Sequence, residues 1–145
     1  MEQFEASIVN YHKALELVDK YPEDINEKHI MQGKIMHNMA LGYDNLNNHK
    51  EAIEWCKKSL DVRQKLQNSP TKNYTIASTL NSIGTCYQHL GEFQKALEYF
   101  EKAREKLKED DQETKRLKSF LFNNEGICHK GLGNYEKALE VQGVS

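Results

Sequence analysis

Leu80-Asn81-Ser82-Ile83-Gly84-Thr85-Cys86-Tyr87-Gln88-His89-Leu90-Gly91-Glu92-Phe93-Gln94-Lys95-Ala96-Leu97-Glu98-Tyr99-Phe100 is the stretch that decides the fold, because the chain repeats it. Moved back 44 residues, it falls on Met36-His37-Asn38-Met39-Ala40, then Tyr43, Leu46 and Ala52-Ile53-Glu54-Trp55-Cys56. Moved forward 42, it falls on Phe122, Gly126, Leu132-Gly133-Asn134-Tyr135 and Lys137-Ala138-Leu139-Glu140. The opening Gln3 to Ile8, with Tyr11 and Ala14-Leu15, fits the second half of the same unit. A period of this size is the signature of stacked supersecondary units.

The unit reads as two helices. Small residues at Ala40, Gly84 and Gly126 let a second helix approach closely. A ring follows three residues later (Tyr43, Tyr87, His129) and fills the space beside them. Asn47, Gly91 and Gly133 come next, residue types that tolerate the left-handed conformation closing a helix. The second helix opens on His49, Phe93 or Tyr135 and carries a small residue three positions on (Ala52, Ala96, Ala138). A bulkier side chain follows at the next turn (Cys56, Phe100; Tyr11 in the first half-unit). Spacings of three and four lie on one helix face.

This unit resembles the tetratricopeptide repeat, and the third copy matches well: Leu80-x2-Ile83-Gly84-x2-Tyr87, then Ala96-x3-Phe100. The period of 42 to 45 is longer than the usual one, and the extra residues fall between units, as over Asp61 to Asn73. That lengthening, with Ile76-Ala77 ahead of Thr79-Leu80-Asn81-Ser82-Ile83-Gly84, resembles the kinesin light chain class. The last unit departs from the pattern, with Glu125 at the usual Leu position and Gln142 at the usual Phe. The resemblance implies an all-α solenoid, a right-handed superhelix of about three and a half repeats.

Helices are expected over about 3–20, 27–46, 49–67, 73–90, 93–109 and 113–131, with another from about 134. Turns are expected at Pro22-Glu23-Asp24 and Ser69-Pro70-Thr71, and a break near Asp110-Asp111. The chain is read as one domain over 1–145: a half repeat 1–22, repeats 27–68 and 73–110, and a degraded repeat 113–145. It enters and leaves in mid-unit, so it is expected to belong to a larger protein or complex.

Composition excludes several classes. The 145 residues hold 20 Lys plus Arg and 22 Asp plus Glu, so the net charge is 20 − 22 = −2, without the basic excess of a nucleic-acid binder. No run approaches the roughly 18 apolar residues of a membrane span, so no membrane insertion is expected. The start, Met1-Glu2-Gln3-Phe4-Glu5, is acidic and lacks the apolar core of a signal peptide. Three cysteines, 56, 86 and 128, are odd in number with no close pair. They point to a reducing, cytoplasmic compartment, and the kinesin light chain resemblance adds possible cytoskeletal association.

Candidate chemistry is sparse. Cys86 with His89, and Cys128 with His129, could suit zinc, but both cysteines hold the same repeat position and read as buried packing. His49 and the lone Trp55 read as packing too. Glu98 and Glu101 lie at helix-face spacing from Lys95 and Lys102 and read as ion pairs. No nucleophile and base follow a known local signature, and no glycine loop follows a strand to hold phosphate. No catalytic residue, metal or cofactor is expected.

What remains is a binding face on the first helix of each unit. Helix spacing places His37 and Asn45 there, then Asn81, Thr85, Gln88 and His89, then Asn123 and Lys130; Asn38 and Asn124 lie one residue further round, where they either join the face or pair with neighbouring helices. An amide side chain offers a donor and an acceptor, so successive amides can pair with the backbone of an extended peptide. The resemblance implies the same, since groove asparagines of kinesin light chains hold cargo peptides. Only Lys34 and Lys130 come near the face that a C-terminal carboxylate clamp would need. The expected function is a non-catalytic adaptor or scaffold that binds a protein or peptide in its concave groove. The rival is a structural subunit docked through its ends and convex face.

Overall fold

The computed structural model describes residues 2–20, 24–108 and 111–133, and every regular element among them is an α-helix. The expected helix from about residue 134, with Tyr135, Ala138 and Gln142, lies outside the described residues. The chain divides into two compact units, Met1–Lys72 and Asn73–Ser145.

The first unit holds α1 (Glu2–Lys20), α2 (Ile25–Asn45) and α3 (His49–Gln64). Asp24 starts α2: its Oδ1 accepts from the backbone N–H of Asn26 at 2.8 Å and of Glu27 at 3.3 Å. Asn47 ends the hairpin turn at φ 64°, and Asn48 N–H bonds back to Tyr43 O at 2.9 Å. On one side of α2, Ile8 of α1 sits against Gly42. On the other, Ser59 of α3 donates to Gly33 O at 2.7 Å. A Cβ on Gly33 would stand 2.8 Å from Arg63 Cγ, so α2 and α3 close on a bare backbone. Met39, Ala40, Ala52, Ile53 and Cys56 are buried.

The second unit holds most of α4 (Pro70–His89), then α5 (Phe93–Lys106) and α6 (Gln112–Gly131). Gly91 takes φ 78°, and Glu92 N–H returns to Tyr87 O at 2.9 Å, the same closure as at Asn47. The Phe100 ring of α5 fills the space over Gly84, where a Cβ would lie 2.5 Å from Cε1. Phe100, Ala96 and Ala103 are fully buried. Tyr87 stacks on Tyr99 with centroids 5.5 Å apart.

Three boundaries move. α4 begins at Pro70, so Ser69-Pro70-Thr71 is not a complete turn; the fixed φ of proline suits a first helical position. α3 stops at Gln64 and α5 at Lys106, because Leu107 is extended at φ −94°, ψ 91°. The break before α6 is set by Asp111, whose Oδ1 accepts from Thr114 N–H at 2.7 Å. That bond holds the exposed Asp111 carboxyl below its ordinary pKa.

Candidate functional site

The candidate face lies on α4 and α6. Asn81, Thr85 and Gln88 recur at i, i+4 and i+7, one stripe of α4. Asn124 and Cys128 of α6 meet that stripe. Asn124 Nδ2 donates to Asn81 Oδ1 at 3.1 Å, and Cys128 Sγ donates to Gln88 Oε1 at 3.7 Å. Asn81, Gln88 and Asn124 are half-buried, while Asn123 and Lys130 are exposed on α6. Among the described residues, nothing pairs with Asn81 Nδ2, Asn124 Oδ1 or Gln88 Nε2.

The other expected residues are placed differently. Thr85 Oγ1 bonds Asn81 O of its own helix at 2.9 Å, which leaves its methyl for contact. His89 is exposed at the end of α4. In the first unit, Asn38 and Asn45 are exposed along α2. His37 is drawn to α3, where Arg63 Nη1 donates to its Nδ1 at 3.0 Å. Burial, reinforced by the Arg63 charge, pushes the His37 pKa down to about 4. Arg63 is itself lowered by burial.

The cysteines occupy packing positions: Cys86 and Cys128 are buried, and burial with Glu125 nearby pushes the Cys128 thiol up to about 11. His49 Nδ1 donates to Asp44 Oδ1 across the hairpin turn. Trp55 packs with His12 edge-on at 5.5 Å and Lys58 over its face at 4.1 Å, and its Nε1 is buried with no hydrogen-bond partner. The expected pairing of Glu98 and Glu101 with Lys95 and Lys102 is replaced. Lys95 pairs with Glu92 at 3.5 Å and lies over the Tyr87 ring of α4, and Lys102 lies over Tyr99 one turn before it on α5, so each ammonium takes an aromatic face.

One functional-looking contact was not foreseen. Glu125, at a position where the repeat expects Leu, is buried at 3% exposure and accepts from Arg104 Nε of α5. The Arg104 guanidinium also lies 5.4 Å from the Phe122 ring centroid. A carboxylate at an apolar repeat position was the available signal; its partner sits on another helix, where no local spacing points.

The comparisons with known proteins follow the same lines. A model described as Tetratricopeptide repeat matches residues 75–142. A model described as Domain of unknown function (DUF6340) matches residues 4–81, more than half of the chain. No curated protein matches the sequence. Among solved structures, BtubC (BKLC) from P. vanneervenii superimposes with a TM-score of 0.71 at 17% identity, over 95% of this chain and 54% of that one. The chain thus spans about half the length of BtubC. MamA MSR-1 C2 matches at a TM-score of 0.39 and 12% identity, over 96% of this chain and 90% of that one. The BtubC likeness shows a shared all-α solenoid fold. Residues 75–142 thus match the tetratricopeptide repeat, and by its residues 4–81 the chain belongs to the family described as Domain of unknown function (DUF6340).

Proposed function

We propose that this protein-interaction module binds an extended peptide segment of a partner protein on the α4/α6 face. The observation that carries the reading is the bond from Asn124 to Asn81. It orders two amides and leaves the Asn81 N–H groups, the second Asn124 N–H and the Asn124 oxygen over for a backbone. Gln88 adds a second free donor on α4, and the Thr85 methyl, exposed Ile127 and exposed Asn123 supply mixed contact around them. From Asn73 to His89 the sequence has no acidic residue, lysine or arginine, which favours a backbone-reading protein ligand over nucleic acid. The reading is non-catalytic. Three free thiols support a reducing compartment, and no helix among the described residues is long and apolar enough to cross a membrane.

The test is Asn81→Asp. Aspartate still accepts from Asn124, so the α4–α6 bond survives, but the donor for a ligand carbonyl is gone. Crosslinking mass spectrometry in native extract, run with the original and the variant chains, should show the partner lost from α4 and α6 in the variant while the melting temperature is unchanged. Crosslinks confined to α1, α3 and α5, and indifferent to the substitution, would support the structural-subunit rival instead.

A further inference from the structure

The α4/α6 face has a direction. Both amides of the α4 stripe turn their oxygens to α6: Asn81 Oδ1 takes the Asn124 N–H, and Gln88 Oε1 takes the Cys128 thiol. What α4 has left over is therefore donors, Asn81 Nδ2 and Gln88 Nε2. What Asn124 has left over on α6 is chiefly its acceptor, Oδ1, since one of its N–H groups is spent on Asn81. The two helices thus offer unlike halves of a peptide-reading pair.

An extended residue presents its own N–H and its own C=O on the same edge, with the N–H on the N-terminal side. Its C=O matches the α4 donor and its N–H matches the α6 acceptor. We infer that an extended peptide lies across this face in one polarity only, its N-terminal part over α6 and its C-terminal part over α4. The residue read by Asn81 and Asn124 must then carry an N–H, which excludes proline there. This inference rests on the peptide-binding reading above and adds to it an orientation and an excluded residue.

The probe is a heptapeptide recovered by panning a random heptapeptide phage library on the immobilised full chain. It is resynthesised with a nitroxide at either its N- or its C-terminus and added to isotope-labelled chain for NMR. The N-terminal label should broaden the amides of Asn123 to Lys130 most, and the C-terminal label those of Asn81 to Gln88. N-methylation should weaken binding by about tenfold or more at one peptide position, the loss of a single well-placed hydrogen bond. The reverse broadening pattern, or tolerance of N-methylation at every position, overturns the polarity and leaves peptide binding standing. Panning without enrichment, or peptides that leave the Asn81 and Asn124 signals unmoved, overturns both.

Discussion

Asn124 donating to Asn81 gives each residue two duties, and substitutions can separate them. Asn81→Ala removes the acceptor and leaves a half-buried Asn124 amide without its partner, so it should cost about 1 kcal/mol in urea unfolding. Asn81→Asp keeps the acceptor and should hold the native midpoint. A stability loss in Asn81→Asp as large as in Asn81→Ala would show that the pair is not joined as described. Cys128 makes a second residue-level case. A thiol pushed from 9 to about 11 carries roughly a hundredfold less thiolate at pH 8, and the thiolate is the reactive form. Iodoacetamide followed by mass spectrometry should label Cys128 at least about a hundredfold more slowly in the native chain than in urea. Labelling at the unfolded rate would remove Cys128 from the core. Its buried role was legible because Cys86 and Cys128 share a repeat position. That Asn124 pairs with a neighbouring helix was one of two readings the spacing left open, and its partner Asn81 was not legible, because spacing assigns residues to a helix face but not which amides turn toward each other.

At the scale of elements, the two closed hairpin turns share one geometry and differ in residue. Asn47 at φ 64° and Gly91 at φ 78° both sit where side chains are strained. Nothing lies within 4 Å of a Cβ on Gly91, so Gly91→Ala should cost only the backbone term, about 1 kcal/mol. Asn47→Gly should be neutral or slightly stabilising, and thermal melts of the two variants should move in opposite directions or stay apart by several degrees. The α5–α6 contact carries a sharper contrast. Arg104→Ala would strand the Glu125 carboxylate at 3% exposure, a loss of about 3 kcal/mol. The double variant Arg104→Met with Glu125→Leu restores the residue type the repeat expects and should recover most of that loss. If the double variant is no more stable than Arg104→Ala, the pair contributes more than a hydrophobic replacement can. These turns and helices were readable because each rests on local chemistry: a left-handed residue, a cap, a small residue under a ring. The start of α4 moved because proline bars a helix interior but suits a first helical position, so Pro70 opens α4 rather than completing a turn, and the end of α3 moved within the small shift that terminal residues allow.

For the whole chain, the repeat period made the fold class legible, while the electrostatics that tune its stability depend on contacts between helices. His37 is the main case. It belonged by spacing to the binding face, yet Arg63 draws it against α3, and burial beside that cation lowers its pKa from 6.5 to about 4. In the unfolded chain His37 takes a proton near pH 6.5; in the folded chain it resists until about pH 4. Between those values the unfolded state binds more protons, so stability must fall as the pH falls. The depressed pKa therefore leaves folding unpenalised above about 6.5 and costs the full amount below about 4, in all about 3 kcal/mol. Asp111 acts in a lower window, since its carboxyl titrates below the ordinary aspartate value and its contribution is lost only under stronger acid. Urea midpoints measured from pH 7 to pH 4 should therefore decline steadily. In His37→Gln the decline should flatten, because glutamine can still accept from Arg63 but does not titrate. An unchanged slope in that variant would mean that His37 is open to solvent in solution, and the contact between α2 and α3 at Gly33, Ser59 and Arg63 would have to be looser than the packing around it indicates.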